Sequence, residues 1–415
     1  MHDLDIVIEH YNDSLWVAGY ENGALEAFEI DPAEEGVRYG SIYWARVDAL
    51  DPKMNAAFVD LGHGESGLLS VKDFRRFDKD GNIIKNEGKP ISKLLTPGEM
   101  ILVQSKNTVD LVNVHDPHLA RESKSARVSM NISIPGRYLI FTPFDLKKKV
   151  SSRVTSAKIR KKMLGMIEDI DSMQGCIMRS SASSVQTDIL TRESKILRAI
   201  WDQLKNFQQG DTPALIMLGP NAIQRVLGDQ ADRHITKIET SDGELYEEIH
   251  EWCDLYAPEF LSRLSFIDPE EFETTMGLFD HYDLIPQIES LISPFSILPS
   301  GGNIIIQETA ALIAIDVNSG ASKSKPQTNI EAAKECARQI RLRNLSGTIL
   351  IDFINTSSKK QHTAILGAFK EKLSHDPCSV SVHGFTNLGL LEISREKRTP
   401  AIATRFASLL EDYDE

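Results

Sequence analysis

Two short stretches of this chain end an apolar run on an aspartate. "ALIAIDVNSG", residues 311–320, carries Asp316 behind four apolar residues and Asn318 two positions on; "TILIDFI", residues 348–354, carries Asp352 in the same way. Apolar runs of this kind read as buried strands. A buried carboxylate without a partner costs several kcal/mol, on the order of a domain's stability margin, so something must meet the charge. Between the two runs lies "TNIEAAKECARQIRLRNLSG", whose spacing predicts a helix. Thr328 is placed to cap it, with Glu331 completing a capping box. Ile330, Ala333, Ala337 and Ile340 form its buried stripe, and Gly347 stands just past its end. A strand, helix, strand crossover sets the two strands side by side with both carboxyl ends at one edge of the sheet. Asp316 and Asp352 then face one crevice.

Two carboxylates a few ångströms apart repel unless a cation sits between them. Magnesium is the natural occupant, since it takes one or two carboxylates together with water and phosphate oxygens. Held there, it can polarise a phosphodiester and lower the pKa of an attacking water. Asn318 is positioned to orient a carboxylate or a bound water. An isolated aspartate at a strand end is more often a cap or turn residue. Two matching strand ends bring that reading and the chemical one about level.

The rest of the chain must build the frame for these strands. A length of 415 residues suggests roughly two to four domains, and 41% hydrophobic with 26% charged residues is ordinary globular composition. No window is apolar enough for a membrane span, and the start, "MHDLDIVIEHYNDSLW", is not expected to be a signal peptide. The four cysteines, Cys176, Cys253, Cys336 and Cys378, lie far apart, which fits a reducing cytoplasm and argues against structural zinc. A net charge of −14 argues against nonspecific coating of nucleic acid. An acidic nucleic-acid enzyme remains possible where positive charge is gathered on one surface.

Residues 1–31 alternate as three short strands joined by Asn-Asp and Asn-Gly turns. From Gly40, "GSIYWARVDALDPKMNAAFVDLGHGESGLLS" gives three closely spaced strands, and "EMILVQSKN" and "SKSARVSMNISI" supply two more, the pattern of a five-strand Greek-key barrel. The text between them, "FDKDGNIIKNEGKPISKLLTPGE", reads as a polar loop. Ile196, Leu197, Ile200, Trp201, Leu204 and Phe207 mark one amphipathic helix. The last segment, about 291–400, alternates strands and helices, so the fold class is α/β and multi-domain.

The stretch from "LPSGGNIII" through "ALIAIDVNSG", "TNIEAAKECARQIRLRNLSGTILIDFI" and "LGLLEISREKRTP" resembles the ribonuclease E/G family, with weaker similarity back to the first residues. The resemblance implies a DNase I-like catalytic α/β domain over 291–400, followed by a C-terminal tail, 401–415. It implies an OB-fold, S-one-type RNA-binding barrel over 37–130, a 5′-sensor region over 131–215, and an RNase H-like subdomain from 1–36 with 216–290. It implies an endoribonuclease that cuts single-stranded RNA with magnesium (manganese possible) held by Asp316 and Asp352 and supported by Asn318. The 5′-monophosphate sensor corresponds to Arg179 and Ser180 of "IMRSSA", with Lys124, Gly136 and Ile140 lining its pocket. A guanidinium fork beside a hydroxyl is suited to a terminal phosphate.

Further RNA contacts are expected at Phe58, Lys323, Lys325, Arg395 and Arg398. The family's acidic residue after "IDFI" is Asn355 here, and a barrel phenylalanine is Leu68. "LLEDYDE" brings no Cys-Pro-x-Cys link, so neither zinc nor a zinc-linked dimer is expected; the sequence leaves the oligomeric state open. Eight of the sixteen residues from Lys147 to Lys162 are Lys or Arg, read either as a solvated face or as an RNA track, the latter preferred beside a phosphate sensor. Arg338, Arg341 and Arg343 are read either as RNA-facing or as helix-end charge. The rival to the enzyme is a non-catalytic RNA-binding or scaffolding relative, favoured by Asn355 and Leu68; a metal-dependent deoxyribonuclease is weaker.

Overall fold

Alternating apolar residues at the start of the chain produce strands Asp3–Tyr11, Ser14–Glu21 and Ala24–Asp31. Asn22 and Gly23 both take positive φ (51° and 78°), the geometry that a two-residue hairpin turn requires. His234–Thr240 pairs parallel with the first strand and Leu264–Phe266 with His234–Thr240, giving a five-stranded sheet. The structure is a computed structural model that describes residues 3–411, except 12, 34, 110–124, 155, 208–209, 230–232, 272–276, 310, 356–357 and 375. It divides into one unit of Met1–Ala33, Arg233–Glu251 and Glu259–Glu415, and a second of Glu34–Asp232 with Trp252–Pro258. Residues 216–232 therefore group with the barrel and not with the first sheet.

In the second unit, Ile42–Asp51, Ala56–Gly62, Glu65–Ser70, Met100–Ser105 and Ala126–Ser129 form a small closed five-strand barrel. Ile42–Asp51 pairs with both Ala56–Gly62 and Met100–Ser105, and Glu65–Ser70 runs parallel to Ala126–Ser129. Closure leaves inward positions such as Val47, Val59, Leu69, Val103 and Val128 buried together. The stretch expected as a plain loop contains a short hairpin, Arg75–Phe77 with Ile83–Lys85. Beside the barrel, a four-stranded sheet holds Leu139–Phe141 and Cys176–Met178 at its centre. Leu190, Leu197, Trp201 and Leu204 of helix Thr187–Lys205 are buried in its core, the last three on the stripe that the spacing predicts.

The first unit also contains a six-stranded sheet in the order Phe295–Ile297, Asn303–Glu308, Ile313–Asn318, Gly347–Asp352, Leu390–Arg395, Val380–Phe385. Of the directly paired strands only the central two, Ile313–Asn318 with Gly347–Asp352, are parallel, joined by a helix that makes the crossover; helix Lys359–Leu373 likewise leads from Gly347–Asp352 to Val380–Phe385, on the far side of Leu390–Arg395. The first of these helices, Lys325–Leu342, starts earlier than the sequence suggests. Pro326 stands in its first turn, so Thr328 lies inside the helix and donates its hydroxyl to Ser324 O at 3.0 Å instead of capping. Glu331 accepts Ser300 N–H at 2.9 Å, bracing a neighbouring loop in place of a capping box. Asn344 at φ 52°, and not Gly347, makes the left-handed step that ends the helix. The expected tail is also structured: Ile402–Glu411 is a helix whose Phe406 ring packs edge-on against Trp16 at 5.4 Å.

Candidate active site

The six-stranded sheet has two unlike faces. Ile304, Ile306, Ile313, Ile315, Val317, Ile349, Ile351, Leu391 and Ile393 are buried with residues of helices Lys325–Leu342 and Lys359–Leu373. Residues in the alternate positions point the other way, and among them Asp316 and Asp352 are exposed. The parallel register pairs Asp316 with Asp352 directly, so the two carboxylates leave the same face at the same level on adjacent strands, whose backbones lie about 4.8 Å apart. This resolves the tension in the sequence: the apolar residues face the helices, and the aspartates never enter the core.

Asn318, two residues on, donates to Asp316 Oδ2 at 2.9 Å. It also meets Asn303 Oδ1 at 3.5 Å from the neighbouring strand, so Asn303, which sequence reasoning missed, belongs to the same polar row. The loop beyond Asn318 closes tightly. A Cβ on Gly302 would lie 2.7 Å from Asn318 O, and one on Gly320, at φ 50°, closer still to Gly301 O. The "SGG" and "NSG" of the two motifs thus allow two backbones to approach at the base of the site. A second brace was also missed. Buried Asn329 donates to Ile354 O at 2.8 Å and accepts Ile354 N–H at 3.0 Å, holding the turn that follows Asp352. The reciprocal amide pair could have been suspected only from the asparagine inside an otherwise apolar helix face.

The donor set consists of hard oxygens. Among the described residues no third His, Cys, Asp or Glu gathers with the two aspartates into a metal-ligand group. Two carboxylates leave most positions to water and substrate oxygens, which fits magnesium better than a cation needing a full protein cage. Lys323, in the loop after the Asp316 strand, and Lys325, the first residue of the helix, are exposed. Asn355 is exposed just past Asp352 at φ 33°.

These observations can be set beside known proteins. The sequence model of the Ribonuclease E/G family matches residues 133–398. Ribonuclease G of Salmonella typhimurium (strain SL1344) is 31% identical over 401 residues, covering 93% of this chain and 78% of its own. The chain belongs to the ribonuclease E/G family. Ribonuclease G of Escherichia coli (strain K12) matches equally, at 31% over 401 residues. Ribonuclease E of Haemophilus influenzae is 29% identical over 402 residues, 94% of this chain but 41% of that protein.

The other residues assigned from the family resemblance fall into distinct environments. In the second unit, Arg179 donates to Gly136 O at 3.0 Å and to Asp229 Oδ1 at 2.5 Å. Ser180 follows it, half-buried, at the start of a short 3-10 turn. Ile140 is half-buried on strand Leu139–Phe141 and pairs with Ile177. Lys124 lies outside the described residues. Gly136 leaves no room for a side chain, since a Cβ would lie 2.6 Å from Glu193 Oε1. Phe58 is half-buried on the barrel, opposite Leu68 on the next strand.

Several cations expected at RNA are committed elsewhere. Arg395 is a correction: its strand turns it inward, where its side chain is 1% exposed and grips Asp376 at 2.9 and 3.0 Å, so it cannot face a phosphate. Arg398 is half-buried in the segment that follows. Arg338 bonds Leu25 O, Arg341 bonds Glu26 at 2.6 Å, and Arg343 bonds Ser293 O, so none of the three is free to serve RNA or merely to offset the helix dipole. At least half of the basic run has partners within its own unit. Lys148, Arg160 and Lys162 donate to backbone carbonyls, and Lys149 pairs with Asp145. Only Lys148 and Arg160 are half-buried; Lys147, Lys149, Arg153, Lys158, Lys161 and Lys162 are exposed.

Proposed function

We propose that this chain is an endoribonuclease of RNA processing or decay that hydrolyses phosphodiester bonds in single-stranded RNA with the help of magnesium. The observation that carries the reading is the direct register of Asp316 with Asp352 on an open sheet face. In this reading the two aspartates hold the metal, and manganese could take the same oxygens. The bound ion supplies Lewis acidity to the scissile phosphate and acidifies the attacking water. Asn318 occupies one oxygen of Asp316 and so fixes which way that carboxylate presents the other. Lys323 and Lys325 draw phosphates toward the face, and Phe58 offers a ring for base stacking. Arg398 is kept as a weaker phosphate contact. The family's product pattern, a 5′-phosphate and a 3′-hydroxyl, completes the reaction.

The same proposal assigns the five-strand barrel to single-stranded RNA as an S-one-type OB-fold. It gives the 131–215 region a 5′-monophosphate sensor built from Arg179, Ser180, Gly136 and Ile140. It names the first sheet an RNase H-like subdomain and the six-stranded sheet a DNase I-like catalytic domain. A cytoplasmic location belongs to it as well, in keeping with four cysteines that are all free and buried.

A 5′-monophosphorylated single-stranded RNA is incubated with magnesium and either wild type, Asp316→Asn or Asp352→Asn. Wild type should cut, and each variant should lose at least about a hundredfold in rate, because every substitution removes one of two ligand charges. Equal slow loss of RNA with all three proteins would overturn the enzyme reading and leave a binding or scaffolding relative, for which Asn355 already speaks. Cutting of DNA but not RNA would favour the deoxyribonuclease.

A further inference from the structure

Arg179 is not waiting open. One guanidinium nitrogen is tied to Gly136 O, and that carbonyl is immobilised because its loop lies on the Glu193 carboxylate, which accepts the N–H groups of Arg137 at 2.6 Å and Tyr138 at 3.0 Å. The other nitrogen is taken by Asp229. Asp229 belongs to helix Ala222–Asp229, and its half-buried carboxylate is met by the Arg179 guanidinium. Arg179 and Asp229 side chains keep 18% and 17% exposure, so solvent and ligand can reach the pair from outside.

We propose that Asp229 is a specificity-determining residue that occupies Arg179 in place of a phosphate and must be displaced before an RNA 5′ end is read. The proposal rests on the sensor reading above. A phosphate monoester carries about −1.5 to −2 charges and three acceptor oxygens, whereas a carboxylate carries one charge and two oxygens. Only the doubly charged end competes well for a guanidinium already paired. A 5′-hydroxyl has nothing with which to displace Asp229 and binds without engaging Arg179, so the internal carboxylate lowers affinity for the monophosphorylated end alone and sets how strongly the two ends are told apart. The Gly136 anchor keeps Arg179 in place while its second partner is exchanged.

The test measures equilibrium binding of two short single-stranded RNAs, identical but for a 5′-monophosphate or 5′-hydroxyl, to the full chain without magnesium. Wild type, Asp229→Asn, Asp229→Glu and Arg179→Gln are compared. Wild type should favour the monophosphate, and Arg179→Gln should bind both RNAs alike. Asp229→Asn should tighten binding of the monophosphate by roughly fivefold, the worth of a partly exposed ion pair, while Asp229→Glu, which restores the pair, stays near wild type. Asp229→Asn with unchanged or weaker monophosphate binding, in a protein that still discriminates, would overturn the displacement idea and leave the sensor standing. If wild type and Asp229→Asn both fail to discriminate, the sensor reading falls and the inference with it. Should Asp229→Asn not fold, inorganic phosphate answers in its place: titrated into wild type and Asp229→Glu, it should compete with monophosphorylated RNA alone, and equal competition with both RNAs would count against the proposal.

Discussion

Among the arginines around the six-stranded sheet, the decisive property is what each already holds. Arg395 sits fully buried with Asp376 and also donates to Asn344 Oδ1 at 2.8 Å and Leu345 O at 3.0 Å. Breaking a buried pair by removing one partner strands the other charge, at a cost of about 3–5 kcal/mol. Arg395→Ala should therefore lower stability by that amount in urea denaturation, with RNA affinity of the folded fraction unchanged. Normal stability with lost affinity would return Arg395 to the RNA surface. Glu26 follows the same logic. Burial pushes its carboxyl up, but Arg341 and Arg233 more than offset this and hold it below the usual carboxylate range.

At the scale of elements, the geometry of the site is set by how the chain leaves each strand. Behind Ile313–Asn318 the exit is fixed by close glycine approaches; behind Gly347–Asp352 it is fixed by Asn329. Asn329 projects from the crossover helix and serves both backbone groups of Ile354, so the helix that makes the two strands parallel also pins the turn after the second aspartate. Asn329→Ala leaves the N–H and C=O of half-buried Ile354 without their partner, and should cost about 1–3 kcal/mol in thermal or urea unfolding. Cleavage in magnesium should fall further than stability explains, with RNA affinity retained. Full activity in a destabilised variant would make Asn329 a purely structural residue.

At the scale of the whole molecule, one buried carboxyl with a strong response to pH is Glu193. Burial pushes Glu193 up to about 7, and the N–H groups of Arg137 and Tyr138 only partly restrain the rise. Its ordinary value is 4.5, so the folded chain binds this proton more tightly than the unfolded chain. The stabilisation is complete below that ordinary value, declines as pH rises toward 7 and is gone above it. The amount is about 3 kcal/mol. Comparing wild type with Glu193→Gln across this range by calorimetry isolates the contribution: wild type should lose stability relative to the variant as pH rises from 4.5 to 7. A difference that stays flat would show that Glu193 titrates normally.

The sequence by itself determined the register-bearing pair. Two apolar runs ending in aspartate, joined by one helix of the right length, leave few topologies, because crossover handedness and helix length are local properties of the chain. The three opening strands, the barrel strands and the helix stripe over Leu197 and Trp201 were legible for the same reason, since hydrophobic period reports which face is buried. Tertiary structure alone decided what each charge meets. Arg395, Arg341 and Lys148 have the composition of RNA contacts, yet their partners come from segments distant in sequence, and no periodicity encodes those meetings. The brace of Asn329 on Ile354 and the hold of Asp229 on Arg179 likewise exist only once separate stretches of chain are folded together. Spacing fixes direction along an element, whereas pairing free energy depends on the three-dimensional surroundings into which that element packs.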